Sequence, residues 1–96
     1  MNEEQGTHHL HIVQTRAGTL KEPKEATVPG NGKLLRAEFL AGRYVLIYEA
    51  EVDAPVQSIN IATLKDGERF NPSEVEVLGT VFHPARHSFM LLVQVL

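Results

Sequence analysis

Arg43-Tyr44-Val45-Leu46-Ile47-Tyr48-Glu49-Ala50-Glu51-Val52 is the stretch that decides the fold. Tyr44, Leu46, Tyr48, Ala50 and Val52 occupy alternate positions. The intervening set begins apolar with Val45 and Ile47 and turns acidic with Glu49, Glu51 and then Asp53. Apolar residues recurring every second position mark a strand, because successive side chains of extended backbone point to opposite faces. This strand is expected to begin covered on both faces and to end with one face in water.

The same period extends outward in both directions. Upstream, Ala41-Gly42 reads as a tight hairpin joining it to Lys33–Leu40, where Leu35, Ala37 and Phe39 alternate with Leu34, Arg36 and Glu38. Pro29-Gly30-Asn31-Gly32 is a turn, since Pro presets φ and Gly and Asn accept positive φ. Ala26-Thr27-Val28 reads as a short strand, Thr15–Lys24 as a polar loop, and His8–Gln14 as a first strand. Residues 1–7 are polar and read as a flexible N-terminal segment.

Downstream, Asp53-Ala54-Pro55 turns the chain into a strand over Val56–Leu64, and Asp66-Gly67 turns it again. Asn71-Pro72-Ser73-Glu74 has the composition of a helix start. The alternation Glu74-Val75-Glu76-Val77 instead favours a strand running through Phe82. After His83-Pro84-Ala85-Arg86, the segment Ser88–Leu96 is apolar on both faces, as a central strand should be. The whole reads as a single all-β domain over 8–96, a small antiparallel β-sandwich or partly closed barrel of about seven short strands. Leu35, Phe39, Leu46, Ile59, Ile61, Val81, Leu91 and Val93 are the expected core.

Composition narrows the functional classes. The chain has no Cys, which removes disulfides, thiolate metal sites and cysteine nucleophiles and fits a reducing, cytoplasmic setting. The start, Met1-Asn2-Glu3-Glu4-Gln5, is acidic and does not read as a signal peptide. No apolar run approaches the roughly 18 residues of a membrane span. A net charge of −3 makes nucleic acid an unfavoured partner.

Thr27-Val28-Pro29, Ile47-Tyr48-Glu49-Ala50-Glu51-Val52-Asp53 and Val77-Leu78-Gly79-Thr80-Val81-Phe82 together carry a resemblance. Over residues 26–96 the chain resembles a family of short β-domain proteins, without assigned activity, found in bacteriophage and prophage genomes. That family has a Val/Met-Pro-x-Gly turn, an aromatic-Ala-Leu-Val-Asp strand, an (Ile/Leu)-Gly-Thr-Phe strand and an apolar last strand. This chain departs from it at Ile61-Ala62-Thr63-Leu64, where a Gly-Thr-Gly turn is usual, and in having no Trp. The resemblance implies a phage or prophage accessory protein acting on a host or phage protein, and it implies no catalytic residue and no cofactor.

Four residue groups could carry function. His9 and His11 share a strand face, and His83 and His87 bracket the last turn. If the first and last strands were neighbours, the four imidazoles could converge on a transition metal, the alternative reading as a metal-binding protein or small metalloenzyme. No carboxylate lies within either group to orient a ring, and solvated strand-end histidines account for them more simply, so no metal site is assigned. Glu49 and Glu51 share one face and Glu74 and Glu76 another. If those strands pair, an acidic stripe results, and Glu49, Glu51 and Glu76 become interaction residues. A solvated face with charged gatekeepers is the plainer explanation. Arg36 and Arg43, with Phe39 and Tyr44, could stack single-stranded nucleic acid on a β-barrel, a further alternative. Finally, Leu92 lies on the second apolar face of the last strand, which needs barrel closure or a homodimer to cover it. A non-enzymatic protein-interaction module is the leading expectation.

Overall fold

The computed structural model describes residues 6–96. Seven strands form two antiparallel sheets: β1 (His8–Thr15), β2 (Lys24–Pro29), β3 (Lys33–Leu40), β4 (Arg43–Glu51), β5 (Val56–Leu64), β6 (Val75–His83) and β7 (Ser88–Val95). Sheet A has the order β1-β4-β3 and sheet B the order β2-β5-β7-β6. The sheets stack as a small sandwich and do not close into a barrel. The edge strand β1 runs beside β2, and the edge strand β3 beside β6. Among the described residues no helix is long and apolar enough to cross a membrane. Of the N-terminal segment, residues 1–5 lie outside the described residues, and the Thr7 carbonyl accepts a backbone hydrogen bond from Val52.

Parity along each strand sets the core. The inward residues Val13, Ala26, Val28, Leu46, Tyr48, Ile59, Ile61 and Leu92 form one cluster between the sheets. Removing a Leu or Ile side chain from water stabilises the fold by about 1.5–3 kcal/mol, and Leu46, Ile61 and Leu92 are wholly buried. A second cluster, Ala62, Leu64, Val75 and Val93, lies on the outer face of sheet B, where Leu20 packs against it. The connection Arg16–Pro23 therefore covers part of that face, although its composition is polar. Gly18 makes this possible: its amide donates to Ile61 and its carbonyl accepts from Thr63, both at 3.0 Å. A Cβ at this position would lie 2.0 Å from the Glu22 carbonyl oxygen.

Turn chemistry follows the sequence. Ala41 and Gly42 both have positive φ, +52° and +78°, as a two-residue hairpin requires. Asn71 caps a single 3-10 turn, Pro72–Glu74, through its side chain, and the chain then enters β6. The helix-start composition is thus used for one turn only.

Several expectations need correction. Leu91 and Val93 do not join Leu46, Ile59 and Ile61: β7 turns them to the outer face of sheet B, where Val93 is buried in the second cluster and Leu91 is half-buried against it. Leu35 is 47% exposed, not core, because the β3–β4 register shifts between Leu34 and Arg36. The bulge hands the inward position to Leu34, and Ala37 and Phe39 continue it. Leu92 is 0% exposed. It faces sheet A and cannot be a homodimer contact; sheet A already covers the face that seemed to need a second subunit. The polar connection also proves able to cover part of the other face, through Leu20 alone. Leu92→Ala is expected to cost about 2–5 kcal/mol and Leu35→Ala under about 0.5 kcal/mol, compared by urea denaturation.

Candidate functional site: the exposed face of the last hairpin

The histidines do not converge. His9 and His11 lie on the inward parity of β1, opposite Ala50 and Tyr48, with their rings 5.9 Å apart edge to face. His83 ends β6, and its ring lies 4.3 Å from that of Phe39 on β3. His87 closes the last turn with φ +50°. The first and last strands belong to different sheets, so the groups lie on opposite flanks of the sandwich. Among the described residues no three metal-ligating side chains gather.

The acidic stripe is not formed either. It required β4 beside the strand of Glu76, and these strands lie in different sheets. Glu49 and Glu51 face outward on sheet A, where Glu49 pairs with His8 Nδ1 at 3.0 Å and stands opposite Lys33. Glu76 stands on the inward parity of β6, opposite Gln94. The proposed stacking site is split as well. Phe39 and Tyr44 stack at 4.8 Å on the inward parity, while Arg36 points outward and pairs with Glu38 at 2.6 Å. Burial raises the Tyr44 phenol pKa, partly offset by the Arg86 guanidinium.

What the fold does present is an apolar surface on the hairpin β6–β7. Phe82 and Phe89 are directly opposite in the register and point away from the core. They are 45% and 66% exposed, with ring centroids 5.1 Å apart. Their neighbours Val81 and Met90 have the opposite parity and are buried. Phe89 also lines a groove of about 510 Å³ between β7 and the Lys65–Phe70 connection. Leu64, Phe70 and Leu91 give the groove an apolar floor, and Lys65, Asp66 and Glu68 stand along it. The 3-10 turn Pro84–Arg86, closed by the bond from the His87 amide to the Pro84 carbonyl, holds the two strand ends together. An apolar centre with a charged rim is the arrangement of a protein-binding patch.

Sequence reading did not single out this pair. The signal was present in the symmetric placement of Phe82 and Phe89 about the Pro84–Arg86 turn, which makes them cross-strand partners once the turn is read as a hairpin. Comparison with family models, with curated proteins and with solved structures returned no match.

His83 Nδ1 is buried without a hydrogen-bond partner among the described residues. A buried polar atom left unpaired is destabilising by about 1–3 kcal/mol. His83→Phe keeps the ring against Phe39 and removes that atom. It is expected to stabilise the domain by about 1 kcal/mol, read as a shift of the urea midpoint at constant slope.

Proposed function

We propose that this domain is a small non-enzymatic protein-interaction module that engages a partner protein through the exposed face of the hairpin β6–β7. The observation that carries the reading is the Phe82–Phe89 pair, two aromatic rings in mutual contact with about half of their surface in solvent. Aromatic side chains contribute large contact area at low entropic cost, and they dominate binding where they enter a partner's pocket. Exposed aromatic surface in a soluble domain marks an interaction site more often than isolated apolar residues do. The resemblance to phage and prophage β-domain proteins supports an accessory role with a host or phage protein as the partner. The cysteine-free composition is in keeping with action in the cytoplasm.

The test is affinity capture from bacterial lysate with the wild-type chain, with Phe82→Ser/Phe89→Ser, and with Leu10→Ser on the exposed face of sheet A. A partner retained by wild type and Leu10→Ser, and lost with Phe82→Ser/Phe89→Ser at unchanged thermal stability, is the expected result. Equal capture by all three would refute the assignment. Light scattering on the same proteins identifies a second copy as the partner if a dimer forms and the Phe variant alone dissociates it.

A further inference from the structure

Among the described residues the two sheets have four edge strands, β1 and β3 in sheet A and β2 and β6 in sheet B. An edge strand offers backbone N–H and C=O groups to any strand that comes alongside, and charges, prolines and bulges are what ordinarily prevent it. Three of the edges are guarded in this way. β2 carries Lys24 and Glu25 and ends in Pro29. β3 carries Lys33, Arg36 and Glu38 and a bulge after Leu34. β6 carries Glu76 and a bulge after Val77. β1 has no Lys, Arg, Asp, Glu or Pro, and its 8 residues pair with β4 without a register shift. Leu10 and Ile12, on its outward parity, are 62% and 58% exposed.

The hydrogen-bond phase of the ladder supplies an independent observation. In an antiparallel pair, bonded positions alternate with non-bonded ones. The Val52 amide donates to the Thr7 carbonyl at 3.2 Å, one step beyond the His8–Glu51 pair. Positions 9, 11, 13 and 15 therefore bond to β4. The opposite edge of β4 agrees: the Ala41-Gly42 hairpin closes on Leu40 and Arg43, which turns the odd-numbered residues of β4 toward β3 and leaves the even-numbered ones for β1. His8, Leu10, Ile12 and Gln14 thus direct their N–H and C=O groups to the open side. Among the described residues none of them makes a backbone hydrogen bond outside the sheet. The residues that offer free backbone groups are the same ones whose side chains form the exposed outer row.

The occupant follows from the symmetry of the strand. A two-fold axis at His11 sets β1 antiparallel to β1 of a second copy. Leu10 then pairs with Ile12 of the second copy, and His8 with Gln14 of the second copy, all through the groups that point to the open side. The outer row matches apolar to apolar and polar to polar, and no Lys, Arg, Asp or Glu of the strand is brought opposite a like charge. Ile12 already lies opposite Ile47 of β4, so the row Ile47-Ile12 continues across the axis into Leu10 of the second copy. We infer that β1 pairs with β1 of a second copy of this chain, joining the two A sheets into one sheet of order β3-β4-β1-β1-β4-β3. The contact is isologous and closes on itself as a dimer. A seam one strand long falls below the roughly 1,200 Å² of a standard interface, so the dimer is weak and reversible. It is separate from the Phe82–Phe89 face, which belongs to sheet B.

Sedimentation velocity on the full chain at pH 8, over about three decades of concentration up to about 1 mM, is the test. The wild-type chain is expected to pass from monomer to dimer with a micromolar dissociation constant. Ile12→Pro removes an N–H that the monomer leaves to solvent, a place where a strand tolerates proline. It should raise the dissociation constant at least about tenfold, by deleting one bond of the seam and crowding the incoming strand. Ile12→Lys adds a charge to the edge and should act in the same direction. Phe82→Ser/Phe89→Ser should dimerise as wild type does, which separates this contact from the proposed partner surface. On the wild-type chain, the amide signals of Leu10 and Ile12 should shift and exchange more slowly with solvent as concentration rises, while those of His9 and Val13 stay protected throughout. That measurement decides the matter even if a variant fails to fold. A monomer at every concentration would overturn the inference and leave the edge to a strand of another protein. A dimer unchanged in both Ile12 variants, or one lost only in the Phe variant, would overturn it as well.

Discussion

The burial of Leu46, Ile61 and Leu92 between the two sheets is the constraint on which the rest of the structure depends. Each contributes about 1.5–3 kcal/mol by leaving water, against a net stability of about 5–15 kcal/mol for a domain of ordinary size. Losing the inward parity of a single central strand would therefore remove a sizeable share of that margin. A one-residue slip moves every side chain of a strand to the other face, so these three residues hold β4, β5 and β7 in register. The edge strands follow: β1 and β3 are aligned on β4, and β2 and β6 on β5 and β7.

This constraint explains why the architecture was legible. Period-two alternation in β3, β4 and β5 is a local signal, and the turns at Ala41-Gly42 and Asp66-Gly67 each carry a glycine at positive φ. Where a register shift intervenes, the local signal misleads. Leu35 continues the alternation of Ala37 and Phe39 in the sequence, but the bulge between Leu34 and Arg36 adds one residue and moves Leu35 out. The same device recurs between Val77 and Gly79 in β6. Nothing in Leu34-Leu35-Arg36 announces an extra residue, since both leucines suit either face. The cover over Val93 was equally hidden. It depends on Leu20 and on the room that only a glycine at position 18 leaves for the Glu22 carbonyl.

The functional groups were harder to read because each depended on which strands become neighbours. Glu49, Glu51 and Glu76 form a stripe only if β4 lies beside β6, and His9 and His83 meet only if β1 does. The chain crosses between the sheets after β1, β2 and β4, and each crossing reassigns partners over a distance that no local pattern encodes. Histidines and carboxylates at strand ends are then dispersed around the rim. The residues the fold does bring together, Phe82 with Phe89 and Glu76 with Gln94, are cross-strand partners within one hairpin. Contacts of short sequence separation are the ones a turn signal can foretell.

A strand departs from the sandwich pattern by turning apolar side chains outward or polar ones inward. Phe82 and Phe89 place large apolar rings on an outward parity, where the fold gains nothing from their being aromatic. Glu76, Gln94 and Gln57 share the inward parity at the open end of the sandwich, where Glu76 and Gln57 remain exposed. Stability gives no reason for the two exposed phenyl rings. Positions that break local consistency without structural benefit concentrate where function is exercised. Along β6 and β7 the outward parity gives the aromatic face, and the inward parity carries Glu76 and Gln94. β1 shows the same two departures, with His9 and His11 on the inward parity and Leu10 and Ile12 exposed, and the hairpin adds two exposed phenyl rings in contact. That places recognition on the pair of strands joined by the Pro84–Arg86 turn, with Leu92 and Val93 anchoring them to the rest of the sandwich.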